Sequence, residues 1–335
     1  MMMKKRIGIL AATVCLCTGL LTGCNVGDTE FIIDLNNVGR NDIFSINGKD
    51  CTKDEARLYL CNFQNIHGSA YGLDLWQYDY SNMDIDGTLE DYVKELTVVE
   101  LSNIMCMNQL AEEMEITLSS EEEKLVSKAT DEYYESLTRD ELRYMGIDKM
   151  ELREAYERYA IAQKVYNTLI KGVNEEVSDD EARVIRIQQI YVKSEEVAKV
   201  VQQKLRSGSG FDVVASSFNE ANVIERNLTR GEYAQEVDDV AFNLDDGEES
   251  GMIKTEDGYY FIKCLNKYVE DLSEANKANI IEKRRKEQFD DVFYEFINNS
   301  TFELNEKVWD GVKVDTSGII TTDSFFDVYQ RYFTE

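Results

Sequence analysis

An α+β fold is predicted from three observations. Residues 89–171 carry apolar side chains at helical spacing, residues 183–268 read as strand, three helices and two strands, and residues 273–299 return to helical spacing. The organisation expected is a mainly helical N-terminal segment at 42–177, a small β-α-α-α-β-β domain inserted at 178–270, and a C-terminal helix and tail at 271–335 that pack on the N-terminal segment.

The opening residues read as an export signal. Lys4, Lys5 and Arg6 precede an apolar run at 7–21, about the length of a signal-peptide core and too short for a comfortable membrane span. The run ends in Leu21-Thr22-Gly23-Cys24, which matches the bacterial lipobox. Residues 1–23 are therefore expected to be removed and Cys24 to carry palmitate-type acyl chains. Each buried CH₂ contributes roughly 0.8 kcal/mol, so two or three chains hold where one would be marginal. The place expected is the extracytoplasmic face of the cell membrane. Residues 24–41 read as a tether of at most ~60 Å when fully extended.

Charge narrows the partners. With 36 Lys and Arg against 65 Asp and Glu, the net charge is −29, and loss of the three signal cations makes it −32. Such a surface repels nucleic acid and anionic lipid at large, so the membrane is reached through the lipid. About 310 residues after the signal is large for one core and suggests two domains. Cys51, Cys61, Cys106 and Cys264 lack metal-ligand spacing and read as buried thiols. Neither a metal nor a cofactor is expected.

"IFSING" reads as a short strand ending in the Asn47-Gly48 turn. Thr52 and Glu55 make a capping box for a helix with Ala56, Tyr59, Leu60, Phe63 and Ile66 on one face, and Gly68 is its expected stop. The only histidine, His67, would then sit at a helix C-terminus, where positive charge is favoured. Asn82, Asp84, Asp86 and Gly87 match the opening of a calcium loop. Val93 stands where a bidentate glutamate is required, so the favoured reading is an acidic loop running into a helix capped by Thr88. Helices follow at 89–114, 119–136 and 148–171, with Met105, Met107, Leu110 and Met114 as packing residues.

In the inserted domain, "VIRIQQIYV" alternates as a strand, "SEEVAKVVQQKL", "FDVVASSFN" and "VDDVAFNL" are helices, and "SGMIKT" and "GYYFIKCL" are strands. Alternation places Tyr260, Ile262 and Cys264 on one face, and Tyr259, Phe261 and Lys263 on the other. "IQQIYVKSEEVAKVVQQKLRSGSGFDVVASSFNE" and "RGEY…VAFNLDDGEESGMIKTEDGYYFIKCL" resemble the opening and close of the parvulin family of peptidyl-prolyl isomerases over roughly 85 residues. Outside them, "IFSINGKDCTKDEA" and "YMGIDKMELREAYERYAIAQKVYNTLIKGVNEEVSDDEAR" are similar to PrsA-type foldase lipoproteins and SurA-like chaperones. In those, both ends of the chain form one chaperone domain. The C-terminal piece here would be 273–299, with Phe289, Val292, Phe293, Phe296 and Ile297 as its apolar face.

The resemblance implies a polar tetrad beside an apolar proline pocket. The family's two histidines fall on Gln189 and Tyr260, its cysteine or aspartate on Ala221, and its threonine is kept as Thr255; Tyr233, Val237 and Phe242 would line the proline pocket. With three of the four polar positions changed, no catalytic residue is assigned, and isomerase activity is expected to be weak or absent. Gln189 and Tyr260 retain the capacity to hydrogen-bond each other or a peptide. The implied function is an extracytoplasmic folding factor whose partners are unfolded or newly exported polypeptides. An active prolyl isomerase and a structural lipoprotein are the alternatives. The aromatic tail, Phe325, Phe326, Tyr329, Tyr332 and Phe333, reads as one helical face that docks on the body or on a partner.

Anchoring rests on Cys24 because no other segment is long and apolar enough to hold a membrane. Cys24→Ser is expected to leave the protein unprocessed or release it to the medium. Normal processing with unchanged membrane retention in cell fractionation would sink the lipoprotein expectation.

Overall fold

The structure, a computed structural model, describes residues 39, 41–71, 76 and 87–333. The signal segment, Cys24, nearly all of the tether, and Asn82, Asp84 and Asp86 lie outside the described residues. The chain divides into two compact units, Met1–Lys171 with Lys286–Glu335, and Gly172–Arg285.

The first unit opens with a hairpin of β1 (Asp42–Ile46) and β2 (Lys49–Thr52). Asn47 and Gly48 turn it with φ of 52° and 77°, the two positive values of a tight hairpin turn. Helix α1 (Lys53–Tyr71) follows, with the Glu55 N–H donating to Thr52 Oγ1 at 3.2 Å. The Glu55 carboxylate does not complete the expected box and instead accepts from Arg158 Nε at 2.9 Å. Gly68 does not stop α1, which runs to Tyr71. His67 is therefore inside the helix, between Phe63 and Tyr92, where burial lowers its pKa. A neutral ring, and not the expected helix-end cation, occupies the position.

Four helices then start on full capping boxes: α2 (Leu89–Glu113) from Thr88, α3 (Ser120–Ser136) from Ser119, α4 (Arg139–Met145) from Thr138 and α5 (Lys149–Leu169) from Asp148. In each, one side chain satisfies an orphan N–H of the first turn and a carboxylate three residues on reaches back. Helix α4 was not expected. Val93 is fully buried on α2, and Met105 and Met107 are buried too, while Met114 caps the helix with its side chain exposed.

The second unit holds α6 (Asp179–Ala182), β3 (Ile185–Val192), α7 (Glu195–Arg206), α8 (Phe211–Phe218), β4 (Glu225–Leu228), α9 (Gln235–Ala241), β5 (Ile253–Lys254) and β6 (Tyr259–Asn266). They form one antiparallel sheet of order β4-β3-β6-β5. Strand β4 adds a member to the expected β-α-α-α-β-β order by pairing with β3. Ile185, Ile187, Ile262 and Cys264 pack against Val237, Ala241 and Phe242 on one face, and Ile190, Val192 and Phe261 pack against Ala198, Val201, Phe211 and Val214 on the other.

Helix α10 (Glu270–Asn298) returns the chain to the first unit, where Phe289, Phe293 and Ile297 are buried and Val292, expected on that face, is exposed. Strand β7 (Phe302–Leu304) extends the hairpin into a sheet of order β2-β1-β7, and α11 (Glu306–Asp310) and α12 (Phe325–Phe333) follow. Buried Lys94 donates to the carbonyls of Trp309 and Val312 at 2.8 and 2.9 Å and lies over the Trp309 ring. Phe325 stacks on Tyr156 with centroids 4.2 Å apart, and Phe326 stacks on Phe63 at 5.3 Å. Cys51, Cys61, Cys106 and Cys264 are buried free thiols, and burial pushes the first three well up so that they stay neutral.

Glu100 is buried in this core, and desolvation pushes its carboxyl up to about 7. Its folded-state pKa lies above its unfolded value, so stability falls as pH rises from about 4.5 to about 7 and is flat beyond. The loss amounts to ~3 kcal/mol over that window. Urea unfolding of Glu100→Gln should show higher stability than the parent at pH 8 and no such slope. An unchanged slope would mean that Glu100 is not the group responsible.

Candidate functional site

The site forms on the face of the second sheet that carries Ile187 and Ile262. Gln189 and Tyr191 follow Ile187 at alternate positions of β3, and Tyr260 precedes Ile262 on β6, so period-2 alternation puts all of them on this face. Tyr191 and Tyr260 are direct cross-strand partners, with ring centroids 4.8 Å apart, and Tyr233, from the loop before α9, lies 5.4 Å from Tyr260 on its own side. Gly258 lets Tyr191 lie down over the hairpin: a Cβ there would stand 2.6 Å from Tyr191 Cε2.

Hydrogen bonds fix these rings. The Tyr191 hydroxyl donates to the Asp257 carbonyl at 2.7 Å, and the Tyr260 hydroxyl donates to Asp257 Oδ2 at 3.3 Å. Tyr233 donates to Gln189 Oε1, and Gln189 Nε2 donates to the Val223 carbonyl at 2.9 Å. Gln189 and Tyr260 therefore do not bond each other, contrary to one expectation. Gln189 is buried with both ends of its amide used, which leaves it little to offer a ligand. Burial, with the Asp257 carboxylate beside it, holds the Tyr260 phenol well above its ordinary pKa.

The other expected positions separate. Thr255 is buried in the hairpin, its Oγ1 2.5 Å from Asp257 Oδ1 and 3.0 Å from the Gly258 carbonyl, where it braces the turn. Ala221 is half-buried in a loop organised by Asn219, whose Oδ1 accepts from Tyr191 N and Ala221 N, and whose Nδ2 donates to the Ala221 carbonyl. Of the three residues assigned to the proline pocket, only Tyr233 borders the tyrosine face with exposed surface. Val237 is wholly buried and Phe242 is 3% exposed. Arg230 lies 4.4 Å over the Phe242 ring and Arg183 5.4 Å over it, and Asp180 bonds Arg230 at 3.0 Å, so Phe242 is core capped by two cations. The sequence reading missed Tyr191, Asp257, Asn219 and Arg226, which lies 5.4 Å over Tyr233. Alternation from Gln189 carried the signal for Tyr191; the others depend on loop geometry. Among the described residues no group of three or more His, Cys, Asp or Glu is placed to hold a metal ion.

An antiparallel sheet with α7 and α8 on one face and α9 on the other, in a chain whose two ends share a helical unit, is an α+β arrangement of the kind that parvulin-bearing proteins have. Within it, the chain resembles the PrsA-type foldases and carries a parvulin-like domain. It is 26% identical over 227 residues to the foldase protein PrsA of Caldanaerobacter subterraneus, covering 65% of this chain and 71% of that one. To the foldase protein PrsA of Clostridium acetobutylicum it is 24% identical over 252 residues, covering 64% and 74%. A crystal structure of the peptidylprolyl isomerase PrsA from Bacillus cereus matches 78% of this chain and 93% of that one at 20% identity and a TM-score of 0.39. No family model matches the chain.

The core position of Phe242 has a measurable consequence. Truncating a buried phenylalanine typically costs about 3–5 kcal/mol, so Phe242→Ala is expected to lower the stability of the second unit by that order in urea unfolding followed by amide NMR. If peptide binding falls while stability holds, Phe242 belongs to the pocket after all.

Proposed function

We propose that this protein is a lipid-anchored extracytoplasmic folding factor. In this reading Cys24 carries the acyl chains, the helical unit holds unfolded or newly exported polypeptides, and the parvulin-like unit binds chain segments with little or no isomerisation. Likeness to PrsA foldases supports the folding role. No described helix is long and apolar enough to cross a membrane, which is compatible with a lipid anchor.

The observation that carries weak or absent turnover is the state of Gln189 and Tyr260. An isomerase lowers a barrier of ~18–20 kcal/mol by favouring the twisted amide over the planar one. Polar groups aimed at the changing amide each supply ~10²–10³-fold when removed singly, though such losses are not additive. Here Gln189 is committed to Val223 and Tyr233, the Tyr260 hydroxyl to Asp257, and Ala221 offers no side-chain polar group. Binding survives that loss, because it needs shape and apolar or aromatic surface alone.

The test is cis/trans exchange of an X-Pro peptide by NMR with the full chain, alongside suppression of aggregation of a chemically unfolded client. Exchange is expected close to the uncatalysed rate, tens of seconds or slower, with Tyr260→Phe indistinguishable from the parent. Aggregation is expected to be suppressed by both proteins. Fast exchange that collapses in Tyr260→Phe would show that the phenol has taken the catalytic place. Absence of both exchange and holding would favour a structural lipoprotein.

A further inference from the structure

We propose that the face formed by Tyr191 and Tyr260, with Asp257 and Glu220 beside it, is a docking surface for polypeptide segments that present a lysine or arginine side chain. The inference rests on the reading above that the second unit binds chain segments, and it names the kind of segment.

The neighbouring tyrosine already shows the chemistry. Arg226 lies 5.4 Å over the ring of Tyr233, and Glu232 pairs with that guanidinium, so one ring of the cluster takes a cation held by a carboxylate. A cation over an aromatic face is drawn by the ring quadrupole, and a carboxylate at the rim adds direct attraction. Tyr191 and Tyr260 have the same two ingredients without the cation. Their rings are half-buried, tilted by 39° and pinned through their hydroxyls to Asp257, so each presents surface without having to be ordered. Asp257 is exposed next to both rings, and Glu220, whose N–H donates to the Tyr191 carbonyl at 2.8 Å, is exposed where its Oε2 accepts from Lys193 N at 3.3 Å. Burial, and after it the charges of both carboxylates, raise the pKa of Tyr191. Among the described residues no cationic side chain lies over Tyr191 or Tyr260, and neither Asp257 nor Glu220 is in an ion pair. The partner that completes this arrangement carries positive charge on a long apolar stem, as lysine and arginine do. An anionic segment is repelled here and by the chain's net charge of −29.

The test uses the full chain and short fluorescent peptides, identical except for a central Lys, Arg, Ala or Glu, with binding read by anisotropy. The Lys and Arg peptides should bind roughly tenfold tighter than the Ala peptide, and the Glu peptide weakest. Tyr260→Leu and Asp257→Asn should each erase most of that difference, whereas Tyr260→Phe, which keeps the ring, should retain it. Asp257→Asn, on an exposed turn, serves where Tyr260→Leu misfolds. Asp271→Asn, which removes one charge elsewhere on the unit, should change nothing; a loss equal to that of Asp257→Asn would mean that net charge alone attracts the peptide and would overturn the docking surface. Equal affinity for Ala and Lys peptides would overturn it too. Aggregation suppression by the same proteins separates the two ideas. Holding without a Lys preference defeats only the docking surface, and a Lys preference without holding supports the surface while defeating the chaperone reading.

Discussion

The antiparallel pairing of β3 with β6 decides where every group of the candidate site stands. Side chains alternate with a period of two, so a slip of one residue would carry Gln189, Tyr191 and Tyr260 into the face covered by α7 and α8, and Ile190 and Phe261 out of it. That slip is costly because Ile187, Ile190, Phe261 and Ile262 are each no more than 1% exposed, on opposite faces of one sheet. Hydrogen bonds outside the β3–β6 ladder hold the same frame. Glu220 N donates to the Tyr191 carbonyl and Gln189 N to the Ile224 carbonyl, both at 2.8 Å, so the loop before β4 is laced along β3. The tyrosine face is rigid because the sheet beneath it has one register.

In the first unit the constraint is non-local. Residues 42–171 lack the third strand of their sheet and the rings of Phe325 and Phe326 that pack among Tyr59, Tyr133, Tyr156 and Tyr159; both come from the far end of the chain. The Phe325 N–H donates to Asn62 Oδ1 across 263 residues, Tyr133 meets Thr322 at 2.8 Å, and Glu141 accepts from Thr321 N and Thr322 N at 2.9 Å each. These bonds satisfy buried backbone and side-chain groups that would otherwise cost ~1–3 kcal/mol apiece. Aromatic stacking and buried polar closure act together, which makes the tail part of this core.

What was legible in the sequence is what physics keeps local. A capping residue and its carboxylate stand three positions apart, and a turn pair or an alternating strand needs no knowledge of the rest, so the hairpin at Asn47-Gly48, the cap at Thr88 and the facing of Tyr260 could be read directly. Strand β4, "ERNL", could not, because an edge strand with polar side chains has the same letters as a loop. Strand β7 has three residues and exists only by pairing with β1. Gly68 misled because one glycine inside a helix costs only about 1 kcal/mol, which packing overrides, and the reading of His67 failed with it. For Phe242 the sequence leaves core and pocket wall open, because a buried core ring and a pocket wall carry the same apolar signature. Its 3% exposure and the guanidinium groups of Arg183 and Arg230 over its ring favour core.

The parvulin resemblance sets Tyr260 where that family carries a histidine, and a phenol in place of an imidazole changes which physical property of the side chain is of use. An imidazole titrates near pH 6.5 and can donate on one side while accepting on the other; a phenol has one proton and titrates near 10 in water. Burial and Asp257 move Tyr260 higher still, so it stays neutral at any physiological pH, with its one proton directed at a carboxylate. What it retains is a broad ring face, and Tyr191 and Tyr233 extend that face on either side. In the proposed reading such a surface binds planar and twisted amides alike, and uniform binding of ground and transition states leaves the rate of a bound chain unchanged. It does discriminate by charge, because the quadrupole of each ring and the carboxylates at its edge favour cations whatever the amide geometry. In the proposed reading, selectivity for the sequence of a passing chain persists at a site where selectivity for its proline isomer is lost.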